Sequence, residues 1–408
     1  MKKSVLKNYA RLIVKTGINI KKGQDVVVRA DLDQPDFVLM VVEECYKSGA
    51  RKVEVEWDIQ RLTKLHQNYR TLETLSAVEK WEEEKLSLRV EKLPCMIYLL
   101  SEDPDGLDGI DGEKYAKASQ ARYKIIKPYR DKMDNKYQWC IAAVPGKAWA
   151  KKMFPDLTEK KAVEKLWQAI LYTSRADGKN PIKAWEEHNA DIRAKCDYLN
   201  SLELDTLEYF SSNGTHLKVG LIEGSVFMGG REDTLLGRPF NANIPSEEVF
   251  ISPDKNRAEG IVYSTRPLSY NGQLIENFNI RFENGKAVEA HAEKNEELLR
   301  QLISMDEGSA YLGECALVPY DSPIRKSELI FYNTLFDENA ACHLALGAGF
   351  TNTLVDYASL TLEECHKRGI NDSMVHEDFM IGTPDLRIVG NKKSGESVLI
   401  FENGNWAF

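Results

Sequence analysis

Apolar and polar residues follow two different patterns along the chain, and the change lies near residue 200. Up to Val144, apolar residues at helical spacing alternate with short apolar runs that are typical of buried strands. The predicted helices are Val5–Thr16, Phe37–Lys47, Gln60–Leu86 and Glu113–Met133, and the predicted strands are Asp25–Ala30, Lys52–Trp57, Met96–Leu100 and Trp139–Val144. Strands that alternate with helices predict a mainly parallel sheet with right-handed crossovers.

The second half of the chain has a different texture. Lys147–Leu199 is amphipathic and helical throughout, apart from a turn at Asp177–Pro181. From Leu202 onward, short alternating strands are separated by hairpin signals. These signals are Ser212-Asn213-Gly214, Gly229-Gly230, Asn271-Gly272, Asn284-Gly285 and Asn403-Gly404. We therefore predict an α/β domain with a helical extension over residues 1–200, followed by an α+β domain rich in antiparallel strands over residues 201–408.

Charge supports the same division. The net charge of −9 is the sum of +6 in residues 1–200 and −15 in residues 201–408. No concentrated basic surface is expected, which disfavours a general nucleic-acid binder. No apolar run is long enough to span a membrane, and the N-terminus lacks the apolar core of a signal peptide. Seven widely spaced cysteines without a C-x-x-C pair indicate reduced thiols in a cytoplasmic protein.

The common nucleotide and nucleophile motifs are missing. The chain contains no G-x-x-x-x-G-K-[ST], no G-x-G-x-x-G after a strand and no G-x-S-x-G. A P-loop, a dinucleotide site or a serine-nucleophile elbow therefore has little support.

Residues that can bind metals occur in four segments of the second half. In an extended segment, His376 and Asp378 would lie on one face, although a solvated turn is the alternative. His343 falls within a predicted short helix, Asn339–Ala345, where a core histidine is the alternative. Glu314 interrupts an apolar strand, so its carboxylate must either face solvent, pair with another group or bind a metal. Glu247 and Glu248 form an acidic pair that is either functional or simply exposed.

Together these segments resemble one family. NIPSEEVF, SYNG, LGECALVPYDSPI, FYNTLFDENAACHLALG and HEDFMIG are similar to signature blocks of the thermophilic aminopeptidase family, peptidase family M29, whose members include aminopeptidases T and S. The segments LKNYARLIVKTGINIKKGQDVVV and YKSGARKVEVEW are similar to the N-terminal part of that family. The resemblance spans nearly the whole chain and places the catalytic domain at residues 201–408.

The resemblance implies two divalent metal ions, such as zinc, cobalt or manganese. Their implied ligands are Glu248, Glu314, His343, His376 and Asp378. Glu248 is preferred over Glu247 on its spacing from the later blocks, and Glu314 is expected to bridge the two ions. Three carboxylates and two imidazoles suit borderline divalent ions.

The implied activity is removal of the N-terminal residue from short peptides through a metal-bridging hydroxide. Glu338 is expected to act as general base, with an acid at a helix start as the alternative. Phe350 stands where the family has a tyrosine that stabilises the tetrahedral intermediate. The competing hypothesis is therefore a non-catalytic or weakly active peptide- or metal-binding member of the same fold. The resemblance also implies a homodimer with its active sites in an internal cavity.

Overall fold

The computed structural model describes residues 1–271 and 273–408, so the hairpin signal at Asn271-Gly272 lies partly outside the described residues. The chain divides into two compact units. The first comprises residues 1–188, 231–246 and 271–273, and the second comprises residues 189–230, 247–270 and 274–408. The division into two functional domains at residue 200 stays a prediction.

The described residues form helices and strands with the following bounds. The α-helices are α1 Lys3–Leu12, α2 Pro35–Lys47, α3 Gln60–Tyr69, α4 Leu72–Ser76, α5 Lys80–Lys92, α6 Gly112–Met133, α7 Lys147–Met153, α8 Glu159–Thr173, α9 Pro181–Ser201, α10 Glu296–Ile303, α11 Pro323–Lys326, α12 Thr334–Asp337 and α13 Leu362–Lys367. The strands are β1 Asp25–Asp31, β2 Lys52–Asp58, β3 Cys95–Leu100, β4 Trp139–Ala143, β5 Leu204–Phe210, β6 His216–Leu221, β7 Arg231–Asp233, β8 Pro239–Asn241, β9 Asn243–Ile244, β10 Val249–Ile251, β11 Pro253–Tyr263, β12 Leu268–Tyr270, β13 Gln273–Glu283, β14 Lys286–Lys294, β15 Leu312–Leu317, β16 His343–Gly347, β17 His376–Met380, β18 Arg387–Lys392, β19 Ser397–Glu402 and β20 Asn405–Trp406.

The first unit contains the predicted parallel sheet. Its five strands lie in the order β2-β1-β3-β4-β9, and every pair in it is parallel. The run Val26–Val28 is buried in β1, as expected for a strand covered on both faces. Helix α2 begins at Pro35 and is followed by Gly49, whose φ of +100° favours glycine where the chain turns back toward β2. The prediction of an α/β fold for this part is confirmed.

The second unit contains two antiparallel sheets. The larger has nine strands, with the path β12-β13-β11-β6-β5-β18-β19-β20 and β14 beside β13. The smaller has four strands in the order β10-β15-β16-β17. Side chains from both sheets, among them Leu207, Leu217, Leu344 and Phe379, form one hydrophobic core. The predicted α+β fold rich in antiparallel strands is confirmed.

Two local predictions are wrong. His343 does not lie in a helix: a 3₁₀ turn at Glu338–Ala340 leads into β16, which begins at His343. The segment Gln60–Leu86 is not one helix but is broken into α3, α4 and the start of α5. The first piece ends before Arg70, whose backbone is extended, and the Thr71 side chain then starts a new helix by accepting a hydrogen bond from the Thr74 backbone N–H.

No helix in the described part of the chain is long and apolar enough to cross a membrane. All seven cysteines are buried and free. Burial raises the pKa of each thiol for which the shift is resolved, for example that of Cys45 to about 12, so these side chains act as small apolar groups.

Candidate metal centre

The middle strand of the smaller sheet sets the position of two candidate ligands. In the antiparallel register, Ala345 of β16 lies opposite Glu314 of β15 on one side and opposite Asp378 of β17 on the other. Residues directly opposite each other share a face of the sheet, so both carboxylates project from the same face as the Ala345 methyl group. Alanine in the middle of this row leaves space between the two acids.

Alternation along the strands brings the other candidates to that face. His343 lies two residues from Ala345, and His376 lies two residues from Asp378. Ala316 of β15 lies opposite His343 on one side and opposite Phe250 of β10 on the other, so these three residues share a face. Glu248 lies two residues before Phe250, so its side chain is expected on that face as well. The intervening side chains, such as Leu344 and Phe379, enter the hydrophobic core on the other face.

The polar atoms of these five side chains are close together. His343 Nε2 lies 3.3 Å from a Glu248 oxygen and 3.9 Å from Asp378 Oδ1. His376 Nε2 lies 3.0 Å from a Glu314 oxygen and 3.5 Å from Asp378 Oδ1. Two groups have ligand atoms that all lie within 4.8 Å of one another: Glu248, Glu314 and His343, and Glu314, His376 and Asp378. Glu314 belongs to both groups, and Glu248 rather than Glu247 enters the first.

Backbone carbonyls orient both imidazole rings. His376 Nδ1 lies 2.7 Å from the Ala348 carbonyl oxygen, and His343 Nδ1 lies 3.2 Å from that of Ala341. A carbonyl only accepts, so Nδ1 carries the hydrogen and Nε2 points to the carboxylates. Imidazoles that bind metals are commonly held in this way.

Burial and crowding of like charge perturb the acids. Burial, followed by the charges of Asp378 and Glu248, raises the pKa of Glu314 above its usual range. Burial and the neighbouring carboxylates likewise raise the pKa of Glu338 well above its usual value. Carboxylates gathered in this way need a positive counter-charge.

The histidines show the complementary effect. Burial tends to lower the pKa of His343, but its hydrogen bond to Glu248 and the Asp378 charge raise it to about 9. For His376, the charge of Asp378 and the hydrogen bond to Glu314 outweigh burial and raise the pKa well above its usual value. Protons on these rings balance part of the acidic charge, and a divalent cation would replace them.

The residues fit divalent metal ions. Three carboxylates and two imidazole Nε2 atoms form a mixed oxygen and nitrogen donor set. Asp378 Oδ1 is buried and accepts no hydrogen bond from the described residues, so it is a free ligand position. The side chain of His376 is 26% exposed, whereas those of Glu314 and Asp378 are at most 10% exposed, so the cluster opens to solvent beside His376.

Glu338 lies at the edge of the same cluster. It begins the 3₁₀ turn before β16 and is buried. Its carboxyl group lies close enough to Asp378 for the charge of Asp378 to raise its pKa, and its Oε1 accepts a hydrogen bond from Asn339 Nδ2 at 3.2 Å. The structure therefore brings Glu338, five positions before His343, next to the candidate ligand Asp378.

Phe350 also lies at the cluster. Its ring centre is 4.8 Å from that of His376 and 5.4 Å from that of Phe250. Its backbone N–H donates to Ser252 Oγ at 2.8 Å. The two phenylalanines form an apolar wall beside the most exposed candidate ligand.

Sequence reasoning assigned no role at the cluster to three residues, Asn339, Asp337 and Arg266. Asn339 is fully buried and hydrogen-bonded to both acidic segments, and Arg266 forms an ion pair with Asp337 at 3.1 Å. The run Asp337-Glu338-Asn339 was a usable signal, because three consecutive polar residues within an apolar stretch are costly to bury without partners. Arg266 carried no comparable signal, since its partner lies 71 residues away.

A buried cluster of carboxylates and imidazoles on one face of a sheet is typical of the metal site of a metal-dependent enzyme. Residues 2–406 match the family described as thermophilic metalloprotease (M29). Aminopeptidase AmpS of Bacillus subtilis is 41% identical over 99% of this chain and 98% of its own length. Aminopeptidase T of Thermus thermophilus is 39% identical over 98% of both chains. The structure of wild-type AmpT from Thermus thermophilus superposes with a TM-score of 0.90 and 37% identity, covering 100% of both chains.

The chain belongs to the M29 family of metalloproteases and is a metalloaminopeptidase of that family. The family membership predicted from the signature blocks is confirmed.

Proposed function

We propose that the chain removes N-terminal residues from short peptides at a site with two divalent metal ions. Glu248, Glu314, His343, His376 and Asp378 would hold the ions. The observation that carries this proposal is the sharing of Glu314 between the two groups of potential ligands. Its carboxylate offers two oxygens, so Glu314 would suit a ligand that two ions share.

The chemistry divides between the ions and the side chains. Divalent ions such as zinc, cobalt or manganese would lower the pKa of water and polarise the scissile carbonyl group. Glu338 takes a proton from the attacking water and returns it to the leaving amine. Its position beside Asp378 supports this role, because a general base must lie within hydrogen-bond reach of the reacting water. A carboxylate of the cluster binds the free ammonium group of the substrate, which restricts cleavage to the first residue.

A pair of variants tests the division of roles. In Glu338→Gln, we expect full metal content by elemental analysis and a kcat lowered about 10²–10⁴-fold, the usual contribution of acid–base catalysis. In Glu314→Gln, we expect loss of bound metal together with activity, while circular dichroism shows an intact fold. A Glu338→Gln variant that hydrolyses a leucine dipeptide at the normal rate removes Glu338 from the mechanism, and a Glu314→Gln variant with full metal content removes Glu314 from the ligand set.

The identity and number of the ions are tested by removal and replacement. The chelated protein should release no leucine from a leucine dipeptide, and activity should return as zinc, cobalt or manganese is titrated to two equivalents. Full activity at one equivalent would contradict the two-ion site.

Phe350 favours a second candidate, a member of the fold with weak or no turnover. A phenyl ring cannot donate the hydrogen bond that the family tyrosine is expected to supply. In this case the reconstituted protein would bind metal and peptide without releasing leucine. The same titration therefore separates the two candidates.

A homodimer completes the proposal. Its support is the family resemblance together with apolar side chains exposed in the first unit, such as Tyr69 at 84% and Trp81 at 64%. Light scattering coupled to size exclusion should give a mass of twice 46.4 kDa. A single-chain mass across the micromolar range would contradict this part of the proposal.

A further inference from the structure

Asn339 connects the two acidic segments of the cluster. It lies in the 3₁₀ turn between Glu338 and Ala340 and is fully buried. Its Oδ1 accepts a hydrogen bond from the Glu247 backbone N–H at 2.6 Å. Its Nδ2 donates to Glu338 Oε1 at 3.2 Å and to the Leu335 carbonyl at 2.9 Å. All of these partners lie in the second unit.

These contacts determine the orientation of the amide group. A backbone N–H only donates, so the atom facing Glu247 must be the oxygen, and a carbonyl only accepts, so the atom facing Leu335 must be the nitrogen. The side chain therefore donates to Glu338 and cannot accept from it. This bond holds Oε1 of the Glu338 carboxylate and so orients its other oxygen, Oε2.

The same side chain also ties down the neighbour of a candidate ligand. Glu247 and Asn339 are 92 residues apart in the chain, and Glu248 follows Glu247 directly before β10. An unsatisfied N–H at this buried position would be costly, so the bond to Oδ1 holds the segment in place. One amide group thereby sets the spacing between Glu248 and Glu338.

We propose that Asn339 is a positioning residue for this reaction: through its two ends it orients Glu338 toward the substrate and holds Glu248 in the metal site. The inference rests on the proposed roles of Glu338 and Glu248. Asn339 is not a catalytic residue, because it contacts these side chains and not the reacting atoms. Groups that support metal ligands in this way commonly contribute 10–100-fold to metal affinity or activity.

Two substitutions separate the two ends of the side chain. Asn339→Asp keeps an oxygen for the Glu247 N–H but replaces the donor to Glu338, so we expect kcat to fall about 10–100-fold with KM and metal content unchanged. Asn339→Ala removes both ends, so we expect in addition an about tenfold weaker affinity of the metal-free protein for zinc, measured by competition with a chromophoric chelator.

Asn200→Ala provides the matched control. Asn200 also bridges two backbone groups in the second unit, the N–H and the carbonyl of Phe227 at 2.7 and 3.0 Å. This variant should lose thermal stability without a change in kcat or in zinc affinity. The inference is overturned if Asn339→Asp retains full kcat, or if Asn339→Ala changes stability alone, as the control does. Should Asn339→Ala fail to fold, the kcat of Asn339→Asp decides.

A double-mutant cycle distinguishes action through Glu338 from a general structural role. In the Glu338→Gln background, adding Asn339→Asp should leave the residual rate unchanged, because the group that it orients is already absent. A further tenfold loss would overturn the inference. Normal activity of Glu338→Gln alone would instead overturn the proposed function, so the two failures are distinguishable.

Discussion

Ala345 shows how one small residue shapes the candidate site. It stands between Glu314 and Asp378 in the register and contributes only a methyl group to the face that carries the potential ligands. The residues before and after it, Leu344 and Leu346, fill the core on the other face. The strand thus combines large apolar side chains on one side with an open, acidic face on the other.

Phe350 is the residue at which we expect a substitution to improve the enzyme. Phe350→Tyr adds a hydroxyl group beside His376, and kcat on a leucine anilide should rise at least about tenfold, since loss of one such donor costs on the order of 10²–10³ in other enzymes. Phe250→Tyr, in the neighbouring ring, should give no comparable gain. An unchanged or lower kcat for Phe350→Tyr would mean that the hydroxyl is supplied elsewhere or is not needed.

Single residues of the candidate site could be selected from the sequence to different extents. Glu314 was visible because it interrupts an apolar strand, and the His376 and Asp378 pair because strand spacing places both on one face. His343 was also selected as a candidate ligand, but its predicted local structure was wrong, because it begins a strand and does not lie in a helix. Its environment depends on Glu248, 95 positions earlier, and no local pattern contains that information.

At the scale of elements, a buried ion pair holds the segment that leads to Glu338. Arg266 and Asp337 have side chains that are 9% and 5% exposed, and Asp337 also accepts hydrogen bonds from the backbone N–H groups of Phe331 and Asn333. Burial raises the pKa of Asp337 and lowers that of Arg266, so the desolvation of both charges is large. Removing only one partner of the pair is therefore costly, because the other charge would stay buried without compensation.

Arg266→Met should lower the free energy of unfolding by about 3 kcal/mol, because Asp337 would remain buried without its counter-charge. Denaturant unfolding followed by circular dichroism measures this change. Arg368→Met, which breaks an exposed pair with Asp356, should have a much smaller effect. Equal effects of the two substitutions would show that the buried pair does not hold the segment.

A second contact between elements gives a pH dependence. The Asp385 carboxylate, which precedes β18, accepts hydrogen bonds from Ser212 N–H, Ser211 Oγ and Thr383 Oγ1 at 2.9, 3.1 and 2.6 Å. Hydrogen bonds from Ser212 and Thr383 lower the pKa of Asp385 below its usual value. The charged form is thus the one that stabilises the fold.

Asp385→Asn should therefore reduce stability most above about pH 5, where the carboxylate is ionised even in the unfolded chain. The difference from the unsubstituted protein should shrink as the pH falls below about 4, since the stabilisation is lost as pH falls from the unfolded pKa toward the lower folded pKa. Unfolding midpoints from pH 3 to pH 6 test this. Asp156→Asn, at an exposed residue with no hydrogen bond to the described residues, should show no such trend.

For the whole molecule, the charge of the second half predicts a salt effect on substrate capture. Residues 201–408 carry −15, which two divalent ions would reduce to −11. This charge should attract the ammonium group of a peptide over a distance that salt shortens, from about 30 Å at 0.01 M to about 8 Å at 0.15 M ionic strength. The value of kcat/KM should fall with salt, and more steeply for Leu-Lys than for Leu-Glu. Equal salt dependence for the two dipeptides would contradict steering.

The sequence by itself determined the kinds of element, the change from parallel α/β to antiparallel β structure and the family. These features depend on local patterns, because the spacing of apolar residues and the signature blocks are complete within short segments. Only the tertiary structure decided that Glu248 meets His343, that Glu338 reaches Asp378 and that Asn339 bonds to Glu247. These contacts join residues far apart in the chain, and they follow from the register of the strands and the path of the turns between them.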